Sequence, residues 1–203
     1  AMGYETTASG TYSTAMGAGT TASGVISTAM GGGTTASGTY STAMGAGTTA
    51  SGNASTAMGD GTIASGAFST AMGRNSKASD YGSLVIGQYN SSGSSATSAD
   101  SFSTANTAFV IGNGVDSSNI SDAFSILFDG TTNIAGSVTA TSFVGDGSQL
   151  TGITGSASSL NDLTDVLVVN NSMFLGTPPT NSTGTDNTAL GENSLKLNTT
   201  GVK

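Results

Sequence analysis

The sequence predicts an all-β solenoid built of 14-residue coils. Three observations carry that expectation: a strict repeat, alternating side chains within it, and more glycine than a helix tolerates. Ala-Met-Gly begins at Ala1, Ala15, Ala29, Ala43, Ala57 and Ala71, always at the same interval, and Val85-Ile86-Gly87 keeps the phase. A fixed period of this kind is the mark of a repeat architecture. The unit at 15–28 contains Gly17, Gly19 and Gly24; in a helix three glycines would cost roughly 3 kcal/mol relative to alanine.

Strands suit the unit better. Along Ser27-Thr28-Ala29-Met30-Gly31, alternation puts Thr28 and Met30 on one face and Ala29 on the other. Residues 35–38 are expected to form a second strand, with the Gly-x-Gly-Thr stretch turning the chain between the two. Each repeat is then one coil, and stacked coils bring identical residues into columns.

The columns differ in what they can do. Ala and Gly side chains permit only a thin interior. The opposite face carries Met2, Met16, Met30, Met44, Met58 and Met72, then Ile86. After Gly87 the phase slips, and Val110-Ile111-Gly112 appears out of step with the period set by Val85. A roll over 1–112 with an irregular insertion near 88–109 is therefore expected, and Ile111 rejoins the Met column. Exposing that column forgoes about 1.5–3 kcal/mol per side chain. The expected remedy is association of several copies around an axis, with these residues at its core. The alternative places Met inside a single roll, against small residues that pack poorly with it.

Composition excludes other function classes. Four basic residues stand against twelve acidic ones, for a net charge of −8, so the basic footprint of nucleic-acid binding is missing. No charge occurs between Glu5 and Asp60. With no cysteine there are no disulfides or thiolate metal sites. With no histidine a Ser-His-Asp arrangement cannot be built. A P-loop needs Gly-Lys-Ser/Thr, and no lysine precedes Lys77. Glu5, Asp60, Asp80 and Asp100 read as turn or solvated residues. Asp116, Asp122 and Asp129 lie close in sequence but lack the calcium-loop patterns. The expectation is a protein without catalytic residues, cofactor or metal, that does not insert into a membrane. The chain opens inside a repeat, as a fragment of a longer extracellular fibre would.

Residues 13–24, Ser-Thr-Ala-Met-Gly-Ala-Gly-Thr-Thr-Ala-Ser-Gly, resemble the head repeat of trimeric autotransporter adhesins. That pattern, Ser-Val-Ala-Ile-Gly-x-Gly-Ser-x-Ala-x-Gly, has the same period, with Ile usual where this chain has Met. The resemblance covers about 1–90. It implies a left-handed parallel β-roll, three chains interlocked in a homotrimer, and attachment to host surfaces. Residues 108–114 and 122–126 are similar to segments of phage tail fibres. Residues 129–143 and 145–153 resemble the connector before the C-terminal domains of such fibres, and 187–191 with 198–201 resemble a further fibre repeat. This second resemblance implies a trimer too, and leaves a virion tail fibre and a bacterial surface adhesin both open.

The remainder is expected to form a β connector over 113–157, with turns at Asp129 and Gly130 and at Asp146 and Gly147. A neck and a truncated second repeat would follow over 158–203. There a helical turn from Ser159, presenting Leu160, Leu163 and Leu167, competes for Val166 and Leu167 with a hairpin around Asn170 and Asn171.

Two features point to contact surfaces. Tyr12, Ile26, Tyr40, Ala54 and Phe68 share one repeat position; if it faces outward, Tyr12, Ile26, Tyr40 and Phe68 are candidates for touching a cell-surface glycan or protein receptor. The Thr6-Thr7, Thr20-Thr21, Thr34-Thr35 and Thr48-Thr49 doublets could form a hydroxyl array for ice. A plain structural spacer without its own receptor site is the third functional reading.

Overall fold

The computed structural model describes residues 1–142 and 144, together with the backbone of 166–169, 172–175 and 188–189. The expected Asp146 turn and the helical turn at Ser159 lie outside the described residues. Among the described residues there is no helix, so none is long and apolar enough to cross a membrane.

Residues 1–141 form one compact unit and 142–203 another. In the first, long and short strands alternate: β1 (Met2–Tyr4), β2 (Thr7–Ala8), β3 (Thr14–Ala18), β4 (Thr21–Ala22), β5 (Thr28–Gly32), β6 (Thr35–Ala36), β7 (Thr42–Ala46), β8 (Thr49–Ala50), β9 (Thr56–Asp60), β10 (Ile63–Ala64), β11 (Thr70–Arg74) and β12 (Lys77–Ala78). Then come β13 (Leu84–Gln88), β14 (Thr107–Asn113), β15 (Asp122–Leu127) and β16 (Thr132–Ile134). The long strands and β13 stack in parallel, each residue over its counterpart one repeat away, so Met30 pairs with Met44 and Ala29 with Ala43; β14 joins β13 in parallel across the insertion, Ile111 beside Ile86. The short strands make a second parallel sheet of six. This is the β-solenoid that the repeat predicts, one coil to each repeat. The second strand is shorter than expected, Thr35 and Ala36 alone, because Gly38 is needed for a corner.

Four small side chains per coil fill the interior. Ala29 from the long strand faces inward with Ala36 from the short one, and Thr34 and Ser41 close the two ends; all are fully buried. The Ser41 hydroxyl donates to the Gly38 carbonyl at 2.6 Å and pins that corner. Where the coil enlarges, Val85 and Val110 take the alanine position. Thr20, Thr34, Thr48 and Thr62 bury their hydroxyls without a hydrogen-bond partner.

Two glycine columns set how closely the coils approach. A Cβ on Gly31 would lie 2.0 Å from the Gly45 carbonyl oxygen, and one on Gly38 would lie 2.0 Å from that of Gly52. A third column is different: Gly33 has φ +62° but nothing within 4 Å of its missing Cβ. That column needs the left-handed backbone only, and Glu5, Asn75 and Tyr89 occupy it in other coils with positive φ.

The inserted coil is held by buried polar groups. Asp80 sits where earlier coils have glycine and is fully buried. Its carboxylate accepts from the amides of Thr97, Ser98 and Thr107. Asp80 does begin a turn, its carbonyl accepting from the Ser83 amide, but the expectation of a solvated side chain is corrected here. An acid is buried because three backbone donors of the inserted loop converge on it. Asn90 uses its side-chain amide as a strand edge, accepting from the Lys77 amide and donating to the Lys77 carbonyl. Parallel stacking ends at β14, which pairs antiparallel with β15, and β15 with β16 around the expected turn at Asp129 and Gly130.

In the second unit, β17 (Val166–Val169) and β18 (Ser172–Leu175) pair antiparallel with Val169 opposite Ser172, and β19 (Thr188–Ala189) runs parallel to β18. Val166 and Leu167 are therefore strand, not helix, in the antiparallel pair expected there; Asn170 and Asn171 lie outside the described residues.

Three outcomes check this packing. Gly38→Ala or Gly45→Ala should lower unfolding free energy by more than about 3 kcal/mol in denaturant titration, while Gly33→Asn leaves it nearly unchanged. Thr34→Val keeps the shape and deletes an unpaired buried hydroxyl, so thermal unfolding should shift upward, by about 1 kcal/mol equivalent. Asp80→Asn replaces one acceptor oxygen with a donor; it should cost about 2 kcal/mol and speed hydrogen exchange at the Thr97, Ser98 and Thr107 amides.

Candidate contact surfaces

Period-two alternation sends Ala29 in and Thr28 and Met30 out. The Met column therefore lies on the outer face of the ten-stranded sheet. Met30, Met44, Met58 and Ile86 are half-buried, while Met2, Met16, Met72 and Ile111 are exposed. Met filling the interior of a single roll is thereby excluded, since alanine and hydroxyl side chains take all of that space. Register carries the column further than the repeat does. Ile86 pairs with Ile111, Ile111 with Phe124, and Phe124 with Ile134. Residues paired across a sheet share a face, so the apolar stripe runs from Met2 to Ile134. Sequence reasoning missed Phe124 and Ile134 because the reversal into antiparallel pairing breaks the repeat. A second stripe, Thr14 to Thr70, turns apolar at Leu84 and Phe109, where Phe109 and Phe124 lie 5.8 Å apart between ring centroids.

The second surface is one corner of each coil. Tyr12, Ile26, Tyr40, Ala54 and Phe68 all adopt positive φ, between 51° and 59°. Tyr12 is 84% exposed, Tyr40 58% and Phe68 54%. The left-handed region costs a non-glycine residue roughly 1–2 kcal/mol, and for β-branched Ile26 it is a true outlier. Gly82 shows that glycine fits the same position at φ +70°. Large side chains are retained there despite the backbone strain, although they contribute little to the interior. Phe68 meets Tyr81 edge-on at 5.3 Å, and Phe102 meets Phe128 at 5.1 Å.

The threonine doublets do not form a paired outer array. Thr20, Thr34 and Thr48 are interior, because Gly19, Gly33 and Gly47 turn the chain just before them. Thr7, Thr21, Thr35 and Thr49 of these doublets face out, Thr7 exposed and the others half-buried, in a single file that continues as Ile63 and Lys77. Three of the hydroxyls proposed for ice, those of Thr20, Thr34 and Thr48, are inside the roll.

The acidic residues near β15 are separate structural elements. Asp122 accepts from the Ser91 amide and hydroxyl and from the Ser92 amide. The Asn119 side chain, with the amides of Ser118 and Asn119, holds the Asp116 carboxyl below its ordinary range, and the Thr131 amide does the same for Asp129. A depressed carboxyl supports the fold above its unfolded pKa and withdraws that support as pH falls through the native value, so both turns loosen in acid. Among the described residues no three acids gather as a metal site. Arg74 lies 3.8 Å from Asp60 and over the Tyr89 ring, on an exposed face.

Comparison with known proteins agrees with this geometry. The YadA head domain repeat (2 copies) family matches residues 1–20, 22–48, 36–62, 50–76 and 64–90. No curated protein matches the chain.

Proposed function

We propose that the YadA head domain repeats of residues 1–90 form the roll of a non-enzymatic homotrimeric surface fibre, a segment of a trimeric autotransporter-type adhesin. YadA head domains are surface-exposed adhesin parts, which fits an extracellular place for this one. The observation that carries the trimer is the outward apolar stripe. A roll filled by alanine methyls gains only about 0.8 kcal/mol for each, whereas the outer Met side chains offer two to three times that once covered. Three copies meeting along Met2 to Ile111 would cover it, in the left-handed interlocked arrangement that the resemblance implies. The organisation that follows is a head over 1–112, a β connector over 113–157 and a neck with the start of another fibre repeat over 158–203.

The corner column at Tyr12, Ile26, Tyr40 and Phe68 is the contact surface in this reading, presented to a host or cell surface. The similarity of 108–114 and 129–153 to phage fibre segments supports a virion tail fibre as the second placement for the same trimer. A pure spacer would not need strained aromatic corners.

Mass in solution tests the assembly. Sedimentation should give about 59 kDa, three times the 19.6 kDa of one chain, with dissociation only on unfolding. Replacing Met30 and Met44 with Asp buries charge on the axis and should abolish the trimer. A folded, soluble trimer of that double variant would refute the facing.

A further inference from the structure

The corner column has a rhythm of its own. Its aromatic members are Tyr12, Tyr40 and Phe68, with Ile26 and Ala54 between them, so rings occupy alternate coils. In-register stacking at about 4.8 Å per coil puts successive rings roughly 9.6 Å apart. Three aromatic side chains thus stand in a straight file parallel to the stacking axis, on one corner, each held out by the same left-handed backbone.

The surroundings narrow the chemistry of a partner. From Thr6 to Gly59, the stretch that carries Tyr12 and Tyr40, the chain has no charge, so a charged polymer finds nothing to pair with along that part of the file. On one side of the file lies the column Thr11, Val25, Thr39 and Asn53, and past the corner glycines comes an exposed column of hydroxyls at Ser9, Ser23, Ser37 and Ser51. On its other side Thr28, Thr42 and Thr56 also face outward, half-buried. Evenly spaced π faces flanked by hydroxyls suit the apolar C–H faces and the hydroxyl rims of sugars.

We infer that this corner binds a neutral, extended β-1,4-linked polysaccharide lying along the roll, with alternate sugar rings stacked on Tyr12, Tyr40 and Phe68. In such a chain successive rings alternate in facing, so the repeat along the strand is a disaccharide. The length of that repeat matches two coils, not one. Ile26 and Ala54 then sit beneath the rings that face away. The inference rests on the reading of this column as a contact surface and adds the class of ligand.

Calorimetry with cellobiose, cellotetraose and cellohexaose, and with the matching chitin oligosaccharides, tests it on the full chain. Affinity should rise steeply with length in at least one series, because only the longest spans all three rings. Tyr40→Ala should weaken hexasaccharide binding by about tenfold, whereas Gly33→Asn, in the glycine column that makes no contact with the next coil, should leave it unchanged. The variant must keep the parent's mass in solution; a changed mass would make the column a subunit contact and overturn the inference. Absence of saturable binding in both series overturns it as well. Adhesion of the chain to cultured cells, measured in parallel, separates the two levels. If adhesion is lost in Tyr40→Ala while no oligosaccharide binds, the ligand class is wrong and the contact surface stands. If neither assay responds, both readings fail.

Discussion

Two glycine columns control how this protein is built. At Gly31 and Gly38 the next coil's carbonyl oxygen occupies the place where a Cβ would stand. The backbones can therefore stack at strand spacing through the corners as well as through the strands, and a coil closes within a single repeat. So short a circuit leaves room for two alanines, a threonine and a serine. The interior is consequently full but poor in apolar area, and the larger hydrophobic side chains are on the outside. That displacement leaves a continuous apolar stripe on the outer face of the sheet.

The inserted coil shows how the stack is closed. Stacking needs glycine at the corner only while another coil follows, and at position 80 none does in the same register. Asp80 can carry a side chain there, and the side chain takes over the ordering role by gathering three amides of the insertion. Asn90 likewise supplies from its side chain the bonds that a further short strand would have made to Lys77. The parallel stack thus ends on side-chain hydrogen bonds before the sheet continues in antiparallel pairing, and the apolar stripe passes through that change intact.

Much of this was legible in the sequence. The period located every coil, and alternation within residues 27–31 put Ala29 inside and Met30 outside. The return of Val110-Ile111-Gly112 correctly marked where β14 rejoins the sheet. What could not be read depended on corners. Whether Thr34 or Thr35 points inward is set by the left-handed turn at Gly33, which alternation alone does not reveal. Nothing in Tyr, Ile or Phe announces a positive φ, so the strain at Tyr12, Ile26, Tyr40 and Phe68 was visible only in the structure. Asp80 read as an ordinary turn acid because its partners, Thr97, Ser98 and Thr107, are distant in the chain.

The account depends on neighbouring chains covering the outer thioethers. Peroxide oxidation followed residue by residue with mass spectrometry reads that coverage directly, since sulfoxide forms where the sulfur is reachable. Met30, Met44 and Met58 should resist oxidation in the native protein and react together once it unfolds. Oxidation of these three in the folded state, at the rate of the unfolded chain, would contradict it.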